Sequence, residues 1–190
     1  MMADSRYVAK EFVAGSPDAL VIGQTMQGFI DNIRTELIRP VLKKHDIEEI
    51  DPEKWYPHQL WMDILKDIKD SLGSEAQSAF IAFGRAVVEK AVMPPEMKTI
   101  PDVLNALHAI HHMNLQNVPE DEGYKVEKIA DKHYRVYENT PNPVDAMYGF
   151  IWGICARYYQ RGERFTVEVI DNPKPDDFVG TCFDVRWYTP

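Results

Sequence analysis

Three histidines carry the residue types and spacing most suited to chemistry. His108, His111 and His112 lie close together in a stretch that reads as helical. On a helix, offsets of three and four bring side chains to one face. Two such imidazoles could ligate a transition metal, or one could ligate an iron porphyrin axially. The plainer reading also stands: one histidine buried and hydrogen-bonded, the others solvated. Ala109 and Ile110 occupy the place of the Glu in H-E-x-x-H, so a zinc-protease reading fails. The two cysteines, Cys155 and Cys182, form no C-x-x-C pair and have no local histidine. They read as packing residues and suit a reducing cytoplasm. The run Glu120-Asp121-Glu122 lacks calcium-loop spacing and reads as a solvated loop. No Gly-rich phosphate loop, dinucleotide fingerprint or nucleophile elbow occurs. Enzyme chemistry is therefore not favoured.

The elements that must position these residues follow from hydrophobic period. Ile22, Met26, Phe29, Ile33, Leu37 and Val41 recur every three or four residues and predict one helix. Ser16-Pro17-Asp18 suits its entry, and Pro40 should kink or split it. Leu60, Ile64, Ile68 and Leu72 predict a second helix ending near Gly73. A third begins around Ser74, carries Phe80, Phe83 and Val87, and stops at Met93-Pro94-Pro95. A fourth starts at Ile100, where Thr99 and Asp102 have capping-box spacing. After the polar stretch Asn117–Gly123 the period becomes two. Tyr124–Ile129 and His133–Glu138 predict a hairpin. Ala146–Tyr159 is apolar nearly all round and predicts a buried helix, with Gly149 and Gly153 leaving a strip for close backbone approach. Runs around Phe165–Val169 and Phe183–Trp187 predict two more strands. The expected fold class is α+β: an N-terminal helical layer packed on a four-stranded antiparallel sheet, in β-β-α-β-β order at the C-terminus. One domain over 1–190 is expected, with an arm at 1–16, a helical part at 17–118 and the β-β-α-β-β part at 119–190.

Bulk properties exclude whole classes of partner. The 190 residues are 45% hydrophobic and carry a formal charge of −9, with neither half basic. Nucleic acid and anionic membranes need a positive footprint, so neither is an expected partner. The longest apolar stretch, 146–156, is about half the ~20 residues of a membrane span. Met1–Ser16 has no apolar segment of the kind a secretory leader needs. A cytoplasmic protein is expected.

Several stretches resemble a known group. Leu104-Asn105-Ala106-Leu107-His108 is similar to the L-x-x-L-H segment of haem–nitric oxide/oxygen-binding domains, where that His is the proximal iron ligand. His133-Tyr134-Arg135 falls where those domains begin a Y-x-S-x-R motif. Trp55-Tyr56-Pro57-His58-Gln59-Leu60 resembles a helix-opening segment of bacterial sensor-like members. Thr140-Pro141-Asn142-Pro143-Val144-Asp145 with Gly149 and Gly153, and Gly180-Thr181-Cys182-Phe183 with Trp187, resemble uncharacterised bacterial relatives, and the C-terminal part as a whole resembles the small-molecule-binding domains grouped with the haem-binding domain and the 4-vinyl reductase domain. The resemblance spans roughly residues 50–190. Two departures stand out. Val136 and Glu138 replace the Ser and Arg that hold the haem propionates, and Glu138 would repel a carboxylate. Val144 and Asp176 stand where the cysteine-rich branch has Cys.

The resemblance implies a non-catalytic sensory or regulatory domain with an internal apolar pocket between helices and sheet. In it the Ala146 helix and the His108 helix would face each other across the cavity. His108, His112, Tyr134, Phe150 and Trp152 are the candidate ligand-binding residues. His108 is also the candidate metal ligand, should haem or a metal bind; the departures weigh against haem. The expected partners are a small apolar ligand, a second copy of the chain and a signalling protein. Two alternatives remain: a structural or assembly protein dimerising through a helix face, and a histidine-based metal protein.

Overall fold

The computed structural model describes residues 6–190. An extended N-terminal segment leads to a short strand, β1 (Leu20–Ile22), then α1 (Gly23–Ile30) and α2 (Thr35–Lys44). Strand β2 (Trp55–Pro57) opens α3 (His58–Leu72), and a 3-10 turn at Gly73–Glu75 joins it to α4 (Ala76–Lys90). Next come α5 (Ile100–Asn114), β3 (Leu115–Gln116), and the hairpin β4 (Gly123–Ala130) and β5 (His133–Asn139). The chain closes with α6 (Val144–Tyr158), β6 (Arg164–Ile170) and β7 (Thr181–Tyr188). The main sheet has strand order β4-β5-β7-β6, antiparallel throughout. The α+β class and the β-β-α-β-β order are as the sequence predicts.

Local chemistry explains most boundaries. Thr99 Oγ1 accepts from the Asp102 amide while the Asp102 carboxylate accepts from the Thr99 amide, so the capping box at α5 is complete. Gly73 ends α3 at φ +53, a conformation glycine tolerates best. The first helical stripe is a correction. It is two helices, and the break falls at residues 31–34 rather than at Pro40, which sits inside α2. The Asn32 side chain donates to the Gly28 carbonyl at 2.7 Å, and its amide turns back to Phe29, which ends α1 locally. Ser16-Pro17-Asp18 does not open a helix; it turns the chain into β1. A second small sheet, β2-β1-β3, has strands of two or three residues. That is too short for a period-two signal.

Two cores result. Phe29, Trp61, Met62, Ile64, Ile68 and Phe80 anchor one among α1–α4. Leu104, Leu107, Val136, Ile151, Phe183 and Val185 anchor the other, between α5, α6 and the sheet. The two meet where α4 crosses α6. A Cβ at Gly84 would overlap the Ala146 carbonyl, and one at Gly149 would overlap that of Ile81. Gly149 thus admits a neighbouring backbone, as its place in the sequence suggests, and that backbone belongs to α4.

The expected apolar pocket is closed. Leu104, Leu107, Val136, Ile151, Ile154, Phe183 and Val185 are each at most 2% exposed and occupy the space between helices and sheet. Two concavities lie elsewhere: one of about 380 Å³ along α2 around Thr35, Arg39 and Lys43, and one of about 390 Å³ between α2 and α3 around Lys44, Asp67 and Asp70.

Residues 6–19 lie across the junction of the two halves. The Ala9 amide donates to Asn139 Oδ1 at 2.9 Å, and Asn139 Nδ2 donates to the Tyr7 carbonyl at 3.0 Å. The Phe12 amide donates to the Pro141 carbonyl, and the Ala14 amide to Gln59 Oε1 on α3. Of the expected arm, residues 1–5 lie outside the described residues.

Candidate functional site

Helix α5 delivers its histidines to the loop that enters β4. His111 is buried, and its Nε2 donates to Glu122 Oε1 at 3.2 Å. His112 Nε2 donates to the Glu122 carbonyl at 2.8 Å. His108 Nδ1 accepts from the Tyr124 amide at 3.3 Å. The His108 and His112 rings lie 4.5 Å apart. Gly123, at φ +133, lets the His108 ring sit against the backbone where a Cβ would clash. Burial, then the neighbouring His112, His111 and Lys125, hold the His108 pKa below its ordinary value. The ring is therefore neutral near pH 7.

Behind these lies a buried polar seam. Glu122 is fully buried, so the acidic run 120–122 is not uniformly solvated as its sequence suggests. Glu122 Oε2 has no hydrogen-bond partner. His58, at the start of α3, is 2% exposed, and its Nδ1 is likewise unpaired. Desolvation drives the His58 pKa down to about 4, against the pull of Glu122. The Tyr7 hydroxyl also approaches Glu122, and burial pushes its pKa upward. Glu138, on the inner face of β5, accepts from the Thr140 amide at 3.0 Å and from the Thr140 hydroxyl. Burial pushes Glu138 up to about 8, which leaves it a neutral acid at pH 7. Tyr124 is pushed up by the same burial, with Glu138 adding to the shift. Sequence reading missed His58, Glu122 and Glu138 as a group. They come from α3, a loop and β5, and no local spacing links them.

The sequence-derived candidates divide. His108 and His112 sit together beside Glu122. Tyr134 stacks on Trp187, centroids 5.6 Å apart, inside the sheet core. Trp152 lies at the far edge of α6, with Arg85 3.8 Å above its ring and Phe165 against its edge. Phe150 is half-buried on the same helix, its amide close to Gly84 of α4. Cys155 and Cys182 are free and buried, with thiols pushed up to about 12 and 11 by desolvation, which suits packing and not nucleophilic chemistry. Among the described residues, no group of three His, Cys, Asp or Glu side chains is placed to hold a metal ion. No helix there is long and apolar enough to cross a membrane.

No family model and no curated protein matches the chain. Solved structures do. A point variant of Tt H-NOX aligns with TM-score 0.65 at 14% identity, covering 89% of this chain and 96% of that one. An oxygen-binding H-NOX domain related to soluble guanylate cyclases, in its oxygen complex, aligns at 0.64 and 14%, covering 88% and 93%. An H-NOX protein from S. oneidensis in the Fe(II)NO ligation state aligns at 0.60 and 13%, covering 86% and 97%. The class of protein defined here is therefore one of H-NOX fold, as the resemblance in the sequence implies. The likeness extends over 86–89% of this chain.

That fold invites a fit test for haem. The inner face of β5 presents Tyr134, Val136 and Glu138, all buried, where a propionate clamp would need cationic and hydroxyl donors. Since His108 Nδ1 accepts a backbone N–H, the neutral ring carries its proton on Nε2 and has no second lone pair for a metal. The space between α5, α6 and the sheet holds packed side chains, Leu104, Leu107, Val136, Ile151 and Phe183 among them. In this arrangement the residues do not fit haem.

Proposed function

We propose that this chain is a non-catalytic regulatory domain that binds a small molecule at the junction of its helical and sheet halves. The observation that supports this most directly is the seam itself, where His58 Nδ1 and Glu122 Oε2 are buried without partners. A buried polar atom without a partner costs about 1–3 kcal/mol. A ligand that supplies the missing partners binds one arrangement of the halves better than another, and such differential affinity is what sensing requires. Access requires the α5–sheet contact or residues 6–19 to shift.

A second reading, haem-based gas sensing, draws on the structural neighbours, among them an oxygen complex and an Fe(II)NO state, and on His108 standing in L-x-x-L-H. The neighbours point toward haem; the packing of this chain points away from it.

One experiment separates the readings. The protein is purified from cells supplied with a haem precursor and examined by absorbance and native mass spectrometry. The expected result is a colourless protein carrying an added mass that is not haem, with that mass reduced in His58→Ala. A Soret band with one haem per chain, lost in His108→Ala, would overturn the non-haem reading in favour of gas sensing. A bare mass would transfer the weight to an assembly role.

A further inference from the structure

The two edges of the main sheet are built differently. Strand β4 bears exposed lysines at 125 and 128, and its register with β5 slips between Lys128 and Ala130. Lysines and bulges are the usual devices that stop a sheet edge from recruiting another strand. Strand β6, at the opposite edge, has neither. Its seven residues, Arg-Phe-Thr-Val-Glu-Val-Ile, pair with β7 in unbroken register and contain no Lys and no Pro. Its inner-face positions, Phe165, Val167 and Val169, are all apolar, and Val169 is 51% exposed. Loop 171–180 does not cover this edge: Phe178 stacks on Tyr137 and Lys174 pairs with Glu127, both on the far side of the sheet.

The charges on β6 are unpaired among the described residues. Glu168 faces Asp184 across the β6–β7 ladder, a like-charge pair that disfavours the fold. Neither Glu168 nor Arg164 forms an ion pair among the described residues, whereas Asp184 takes His133, Arg135 and Arg186. β6 is nevertheless complementary to itself. Laid antiparallel about a two-fold axis at Val167, Phe165 faces Val169 of the second copy twice, and Val167 faces its own equivalent. Arg164 then lies diagonal to Glu168 of the second copy, within reach of a long side chain.

We propose that β6 is the dimer interface of this protein, joining two copies edge to edge into one eight-stranded antiparallel sheet. The occupant is a second copy because the twofold pairing gives each Glu168 a cation and each Val169 an apolar cover. This inference is independent of what the seam binds.

The test is sedimentation velocity on the full chain over a range of concentrations. Wild type is expected to dimerise and Val169→Lys to remain monomeric. Arg164→Glu and Glu168→Arg should each weaken the dimer about tenfold, and the double variant R164E/E168R should restore it. Circular dichroism melts confirm that each variant folds. Since Arg164 and Glu168 are four residues apart on one strand, rescue requires contact between copies. A wild type that stays monomeric, a dimer indifferent to Val169→Lys, or a double variant that is not rescued would each overturn the proposal.

Discussion

Buried titratable groups set how this protein responds to pH. Glu138 has its pKa raised from 4.5 to about 8 in the folded chain, so the native state keeps a proton that the unfolded state gives up. Its contribution is fully present below about pH 4.5 and is lost as pH rises to about 8. His58 acts the other way: its pKa falls from 6.5 to about 4, so its contribution is present above 6.5 and is lost as pH drops toward 4. Stability should therefore peak in mildly acidic solution. Each limb should have a slope of up to about 1.4 kcal/mol per pH unit. Glu138→Gln should remove the upper limb and let the lower one, set by His58, run on up to about pH 6.5, as read by urea unfolding at several pH values; an unchanged upper limb would sink the assignment. The histidines of α5 should also differ. His111→Ala strips the buried Glu122 carboxylate of its side-chain donor and should cost about 3 kcal/mol. His108→Ala, at an exposed position, should stay within about 0.5 kcal/mol. Equal losses in the two variants would contradict this geometry. His58, Glu122 and Glu138 were not legible as a group in the sequence, because burial is a property of the assembled halves. The α5 triad was legible, since three- and four-residue spacing alone puts those rings on one face.

Among the elements, α4 and α6 carry the tightest constraint. Their backbones meet at Gly84 and Gly149, where an added Cβ would strike a carbonyl that cannot move aside. Gly84→Ala or Gly149→Ala should therefore destabilise by about 1–3 kcal/mol or more. Gly28 is the control. It lies within α1 with nothing near an added Cβ, so Gly28→Ala should stabilise by about 0.5–1 kcal/mol. Thermal melts of the three variants give opposite signs if the packing is right. Gly149 in an apolar helix announced a close contact in the sequence. Its partner did not show, because the α4 pattern reads as an ordinary amphipathic helix whichever neighbour it meets.

For the whole molecule, the segment 6–19 joins halves that otherwise meet mainly through α4, α5 and α6. Asn139 is its main anchor, bonding Tyr7, Ala9 and Asp121 at once. Asn139→Ala should speed hydrogen exchange of the Ala9 amide selectively while amides of the β7 strand keep their protection. Uniform loss of protection would mean that Asn139 supports the fold as a whole and not this segment.

The sequence alone determined the α+β class, the start of α5, the hairpin and the H-NOX resemblance. The first three follow from local rules: periodicity, capping and turn chemistry act over a few residues and need no knowledge of what lies across the molecule; the resemblance rests instead on matched stretches such as Leu104-Asn105-Ala106-Leu107-His108. It also exposed the loss of the Ser and Arg clamp. Only the tertiary structure decided that the pocket space is filled, that Glu122 and His58 share a buried seam, and that one sheet edge is defended while the other is open. Each of those depends on which surfaces from distant parts of the chain come together and exclude water. Burial then turns ordinary side chains into neutral acids, unpaired acceptors or packed core.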